Sequence, residues 1–143
     1  MAANYDFIVI DTPPSLGVLT VNAFTCATDI LIPTTAGIFA TAGISQLNET
    51  VTSVQKYCNP AVKVRGILFT RFNPRANISR QMKELAEQLG EYISPIYKTY
   101  IRSAVGVEEA QANSQDIFDY ADKSTVAEDY KSFIDEFLKG VKE

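Results

Sequence analysis

Tyr5-Asp-Phe-Ile-Val-Ile-Asp-Thr-Pro-Pro-Ser-Leu-Gly17 is a short apolar run that ends in a carboxylate and then turns at two prolines. The unbroken β-formers of Phe7–Ile10 predict a central parallel strand covered on both faces. Asp11 would lie at the carboxyl end of that strand, where α/β sheets bind ligands and where a carboxylate suits Mg²⁺ and its waters. Pro13 and Pro14 fix a rigid exit from the strand, and Ser15 can cap the helix that follows.

Further along the chain, buried strand patterns alternate with amphipathic helix patterns. This alternation predicts a single α/β domain over residues 1–143, with a mostly parallel sheet and flanking helices in three layers. After the first strand, the predicted order is helix Leu16–Thr28, strand Asp29–Pro33, helix Phe39–Tyr57, strand Val64–Phe69 with Gly66 against a helix, helix Asn77–Leu89, strand Ile93–Tyr97, helix Val107–Asn113, an extended or turn segment Asp116–Tyr120, and helix Ser124–Val141.

The net charge of −4 hides an uneven distribution of charged residues. Residues 1–55 contain no Lys or Arg and four acids, residues 56–105 contain nine bases and three acids, and residues 106–143 contain four bases and ten acids. The basic middle segment is either a footprint for DNA or an ordinary solvated face.

The chain has no histidine, and Cys26 and Cys58 lack metal-ligand spacing, so we expect no zinc site. No apolar run reaches membrane-spanning length and residues 1–4 do not resemble a signal peptide, so we expect a cytoplasmic protein.

The segment Asp11-Thr-Pro-Pro-Ser-Leu-Gly17 resembles the Walker B segment of the ParA/MinD family of deviant P-loop ATPases, most closely its ParA (Soj-like) plasmid and chromosome partition branch. The resemblance continues at Asn22-Ala23, Asp29–Pro33, Phe39-Ala40, Gly43–Leu47, Gly66–Thr70, Ile101-Arg102 and Glu109-Ala110. It implies the C-terminal part of a P-loop NTPase fold. The family's Lys-Gly-Gly-x-Gly-Lys-Thr phosphate loop and Asp-x-Asp-Pro-Gln segment are both absent, and no glycine precedes Lys-Ser or Lys-Thr. We therefore assign no catalytic residue and expect no ATP hydrolysis by this chain alone.

The resemblance also implies roles for particular residues and partners. Asp11 would hold Mg²⁺ through water, ATP would be the nucleotide, and the expected partners are non-specific DNA, a ParB-like partition protein and a second copy in a homodimer on the nucleoid, with no membrane. MinD-like relatives carry an Asn-Arg pair at the matching strand end that reads the adenine, and this chain has Thr70-Arg71 there, although Arg71 could equally be an ordinary surface residue. The expected nucleotide-binding residues are Thr12, Pro13, Thr70, Arg71 and Thr99. Arg102 is the first candidate for DNA contact, and Arg75, Arg80 and Lys83 are weaker ones.

Two alternatives remain beside the partition ATPase. A non-enzymatic interaction or DNA-binding module from a truncated ParA-like gene would explain the missing phosphate loop. A receiver-type phosphoacceptor domain, with Lys98 assisting Asp11, is disfavoured because no acidic pair precedes Asp11 and the two prolines are foreign to that fold. Without a neighbouring strand, the Asp11 strand should be exposed in the isolated chain, which should then dimerise or rearrange.

Overall fold

Two parallel strands form the centre of the sheet in the computed structural model, which describes residues 4–36, 40–77, 79–81, 84 and 95–141. Strand β1 (Asp29–Thr35) pairs with β2 (Lys63–Thr70) in a parallel register with one irregularity after Ile30. The helices are α1 (Val18–Cys26), α2 (Ala40–Tyr57), α3 (Val105–Ala112), α4 (Ile117–Ala121) and α5 (Thr125–Val141). The observed order of helices and parallel strands confirms the predicted α/β fold class.

Residues 95–102 extend this sheet along the other edge of β2. The N–H of Ile67 donates to the Pro95 carbonyl at 2.8 Å, and the N–H of Tyr97 donates back to the Ile67 carbonyl at 3.0 Å. Parallel bridges join Ile67 to Ile96 and Phe72 to Arg102. Both bonds of Ile67 point to this side, so β1 lies on the opposite edge. The segment is held by single bridges, rather than forming the regular strand predicted at residues 93–97, of which residues 93 and 94 lie outside the described part.

Helices cover both faces of β2. Ile67 belongs to a buried cluster with residues of α1, α2 and β1, whereas Leu68, the next residue, packs with Ile101 and with Val126 of α5. Because successive strand residues point to opposite faces, α2 and α5 lie on opposite sides of the sheet. This arrangement is the predicted three-layer architecture.

The helices form where the apolar spacing predicted them, with one addition. Ile44, Val51 and Val54 are buried along α2, and α5 buries Val126 and Ala127 at its start. The short helix α4 was predicted to be an extended edge or a turn, and that prediction was wrong. The carboxylate of Asp116 accepts hydrogen bonds from the N–H groups of Phe118 and Asp119, so it caps a helical turn.

The predicted first strand is absent from the described structure. Residues 7–10 form no strand, and Ile8 and Val9 are 67% and 91% exposed. The prediction that both faces are covered was wrong, because no described segment pairs with these residues. The exposure itself matches the expectation for a segment without its neighbouring strand.

Smaller corrections concern contacts that the pattern could not show. Gly17, without a side-chain cap, precedes α1, and the carbonyl of Ser15 instead accepts a hydrogen bond from Thr20 Oγ1 at 2.6 Å. Gly66 packs against Pro95 and Tyr97 rather than against a helix. Tyr57, predicted to face inward, is exposed. The helix predicted over residues 77–89 is helical at 77, 79–81 and 84, and its other positions, including Lys83, lie outside the described residues.

Candidate functional site

A cleft of about 310 Å³ opens at the carboxyl end of β2. Its walls come from the end of β2, the end of segment 95–102 and the first turns of α3, with one residue from α5. The carboxyl end of parallel strands is where α/β sheets bind small ligands. The lining residues are Thr70, Arg71, Ile101, Arg102, Ser103, Ala104, Val107, Glu108, Gln111 and Tyr130. The cleft therefore brings together three sequence-predicted residues, which are Thr70, Arg71 and Arg102.

Arg71 sits in a left-handed backbone conformation, with φ of 50°. This conformation is uncommon for a residue with a side chain and costs on the order of 1–3 kcal/mol, a cost typical of ligand-binding positions. Its side chain is 74% exposed, and Nη2 lies 3.7 Å from Oε1 of Glu108, which is also exposed. Such an exposed pair contributes little to stability. The Arg71 side chain is thus available to a ligand in the cleft.

Arg102 is fixed by Asp129 of α5. Its Nε and Nη2 donate to the two Asp129 oxygens at 2.8 and 2.7 Å, and Nη2 also donates to the Thr125 carbonyl at 3.1 Å. The backbone N–H of Arg102 donates to Asp129 Oδ2 at 3.0 Å. The hydrogen bond to Asp129 raises the pKa of Arg102 and outweighs the opposing effect of burial. The charge of Arg102 is therefore already compensated within the fold.

Glu136, two turns further along α5, holds residues 98 and 99, which precede Arg102 in segment 95–102. Its two carboxylate oxygens accept the backbone N–H groups of Lys98 and Thr99 at 2.8 and 2.9 Å. Burial pushes the pKa of Glu136 upward, but hydrogen bonds from Thr99 and Lys98 outweigh it and leave the pKa below its usual value. Sequence reasoning missed Asp129 and Glu136. Their signal was two acids seven residues apart, a spacing that places both on one side of a helix.

The other predicted site residues lie outside the cleft lining. Asp11 and Pro13 are exposed and Thr12 is half-buried, all in the segment before α1. Thr99 is half-buried and is engaged by Glu136. On the side of the β2 end, Arg75 and Arg80 are exposed, and Arg80 donates to Asn77 Oδ1. The remaining candidate, Lys83, is outside the described residues.

The donors present could bind a planar aromatic ring or an anionic group. Arg71, Arg102 and Tyr130 offer cationic and aromatic surfaces for a planar ring. Asp11 alone could hold Mg²⁺ only together with water and phosphate oxygens, since Mg²⁺ keeps an octahedral shell. Within the described ranges, no three His, Cys, Asp or Glu side chains form a metal cluster. The 143 residues contain no Lys-Gly-Gly-x-Gly-Lys-Thr phosphate loop.

Comparisons with known proteins agree with this geometry. Residues 1–64 match the AAA_31 family model, described as an AAA domain. The chain is 38% identical over 139 residues to the chromosome partitioning protein ParA of Myxococcus xanthus, covering 97% of this chain and 48% of that protein. It is 39% identical over 128 residues to the sporulation initiation inhibitor protein Soj of Bacillus subtilis, covering 89% of this chain and 49% of that protein. The chain belongs to the ParA/MinD family of P-loop ATPases.

Comparison with solved structures shows which fold this ParA-like chain shares. It superposes with a TM-score of 0.77 and 30% identity on the cobyrinic acid a,c-diamide synthase of Mycobacterium smegmatis with bound ADP and magnesium, over 98% of this chain and 49% of that one. The chain spans about half the length of the curated relatives it matches. In the part of the chain described here, no helix is long and apolar enough to span a membrane.

Proposed function

We propose that this ParA-like chain works in ATP-dependent chromosome or plasmid partition and contributes the base-binding cleft of the nucleotide site. The cleft at the carboxyl end of β2 is the observation that carries this proposal. It is lined by Arg71, Arg102 and Tyr130 in a fold shared with a structure that contains ADP and magnesium. Identity to partition proteins is higher than to the named synthase, which favours partition.

Within this proposal the chain binds and orients, while other groups supply the reaction. Thr70 and Arg71 would contact the base, and Thr12, Pro13 and Thr99 would border the nucleotide. Asp11 would hold Mg²⁺ through water once phosphates are bound. The phosphate-binding groups would come from polypeptide outside these 143 residues. We therefore propose no hydrolysis by this chain alone.

Non-specific DNA binding, a ParB-like partner, homodimerisation and association with the nucleoid in the bacterial cytoplasm complete the proposal. Arg75 and Arg80 are exposed near the end of β2, so their charges can reach phosphates. Binding of this kind gains its free energy from released counterions and falls steeply with salt. Lys83 and Arg102 are the other candidates, and the Asp129 pair weakens the case for Arg102.

Adenosine, which has no phosphate, provides a direct test of the cleft. Titrated into the ¹⁵N-labelled chain, it should shift backbone signals at residues 70–71 and 101–104. Removing the Arg71 guanidinium with Arg71→Ala should weaken adenosine about two- to thirtyfold, since cation–π contacts contribute roughly 0.5–2 kcal/mol. Lys139→Ala, an exposed change near the end of α5, is the control and should change nothing. Shifts scattered over the surface, or an affinity insensitive to Arg71→Ala, would refute the base-binding cleft.

A non-enzymatic interaction module is the second candidate, favoured by the exposed apolar side chains of residues 7–10. Such a surface on a small protein is typical of a contact site. Absence of adenosine binding, together with self-association of the chain in sedimentation experiments, would support this candidate. A monomer that binds adenosine would favour the cleft proposal instead.

A further inference from the structure

We infer that Asp129 and Glu136 are positioning residues that together hold residues 98–102, which lead into the cleft, in place. Asp129 also holds the Arg102 side chain at the cleft, where it would contact the ligand rather than DNA. We call the side chains of Asp129 and Glu136 the carboxylate clamp. The inference rests on the proposed function for its ligand, but the clamp itself can be tested without any ligand.

The clamp contacts both ends of one loop. Glu136 accepts the N–H groups of Lys98 and Thr99, and Asp129 accepts the N–H of Arg102. Seven residues of helix span about 10.5 Å, a distance that the few residues between these contacts can cover. The loop therefore runs along α5 in the opposite direction to the helix. Between the two contacts, Ile101 is buried and its N–H bonds to the Phe69 carbonyl of β2 at 2.8 Å.

The helix that carries the clamp is itself anchored. Tyr97, immediately before the loop, packs edge-on against Phe133 of α5, with ring centroids 5.1 Å apart. Val126 and Tyr130 of α5 pack in the cluster that contains Ile101. The clamp carboxylates thus project from a fixed surface, and their hydrogen bonds set the position of the loop rather than follow it.

The contacts of Arg102 determine what its side chain can do. Nε and Nη2 are used by Asp129 and by the Thr125 carbonyl, so these in-plane donors are occupied. Arg102 lines the cleft and its side chain is 38% exposed, whereas the Asp129 side chain is only 12% exposed. A guanidinium held in its own plane still offers a flat face for stacking on a planar ring. A DNA phosphate would meet a guanidinium whose charge Asp129, a more buried carboxylate, already compensates through two parallel bonds.

Amide hydrogen exchange tests the clamp without any ligand. Glu136→Gln should speed exchange at Lys98 and Thr99, and Asp129→Asn should speed exchange at Arg102, each by about tenfold or more, because each change removes a charged acceptor. Asp135→Asn, an exposed change on the same helix, is the matched control and should leave all three amides unchanged. Circular dichroism checks that each variant stays folded. Unchanged exchange at these amides in both clamp variants would overturn the inference.

Two probes then test the assignment of Arg102. Asp129→Asn should weaken adenosine about two- to thirtyfold by releasing the stacking face. For a random-sequence DNA duplex, Arg102→Ala should leave the slope of log K against log salt unchanged, whereas Arg75→Ala should reduce its magnitude by about 0.9. A reduction of about 0.9 with Arg102→Ala would overturn the assignment to the cleft. If the unmodified chain binds neither probe, the proposed function fails, and the exchange result still decides on the clamp.

Discussion

Replacing Gly66 with alanine should destabilise the protein by placing a methyl group where two neighbours already lie. A Cβ at this position would come 2.7 Å from Tyr97 Cε2 and 3.0 Å from the Pro95 carbonyl oxygen, and the backbone φ of +156° is unusual for a residue with a side chain. The Pro95 oxygen cannot retreat freely, because it accepts the Ile67 N–H at 2.8 Å. The Tyr97 ring is in turn packed against Phe133.

The magnitude follows from two separate costs. Overpacking a filled site costs about 1–3 kcal/mol, and an unfavourable backbone conformation adds about 1–3 kcal/mol. The sum of about 2–6 kcal/mol is a large part of the roughly 5–15 kcal/mol that stabilises an ordinary domain. With a urea dependence of about 1–3 kcal/mol per molar, the midpoint of unfolding should fall by about 1 M or more.

Urea unfolding followed by far-ultraviolet circular dichroism measures this change. Gly43→Ala is the matched control, because a Cβ there meets nothing within 4 Å and the residue lies in α2. That change should raise the free energy of unfolding by about 0.5–1 kcal/mol. In the Gly66→Ala background, Tyr97→Ala should cost less than it does alone, since it removes the clashing ring. Equal midpoints for the two alanine variants would refute the steric reasoning.

Three further predictions concern stability, helix capping and the exposed segment. The pKa of Glu136 is lowered in the folded state, so its stabilising effect is present above the unfolded pKa of about 4.3 and is lost as pH falls through the folded value. Glu136→Gln should therefore lower the urea midpoint at pH 7 and lose this effect in acid, and a constant difference at all pH values would contradict this. Asp116→Ala should lower the free energy of unfolding by about 0.5–2 kcal/mol, because it removes the N-cap of α4. Asp119→Ala, in the same helix but not at the capping position, is the control in the same unfolding assay. Val9→Glu should change the unfolding midpoint little, because Val9 is almost fully exposed, and should reduce self-association in sedimentation velocity; a large loss of stability would show that Val9 is buried in solution.

Sequence patterns predicted most of the regular structure because short-range periodicity determines it. The apolar spacing of α2 and α5 and the strands β1 and β2 were found within a few residues of their observed bounds. The same reasoning failed at residues 7–10, since a strand also requires a partner that no local pattern can supply. It failed again at α4, where one Asp116 side chain turned an extended prediction into a capped helix.

The candidate site divides in the same way. Its position at the carboxyl ends of parallel strands, with Thr70 and Arg71, followed from the chain order of strands and helices and from the family resemblance. The hydrogen-bond partners of Arg102 and of the residues before it could not be predicted in this way. Asp129 and Glu136 are separated from them by 27 to 38 residues in the sequence. The family resemblance made Arg102 the first candidate for DNA contact, and its pairing with Asp129 weakens that case.

The amino-acid sequence by itself thus determines most of the local secondary structure of this protein. Helix periodicity, strand propensity and the rigid Pro13-Pro14 turn each act over a few neighbouring residues. Which charges remain free is decided by packing. Once α5 covers one face of the sheet, two of its carboxylates accept hydrogen bonds from the backbone N–H groups of Lys98, Thr99 and Arg102. Only folding brings these groups within 3 Å of each other, so only the tertiary structure separates the compensated Arg102 from the exposed Arg71 and Arg75.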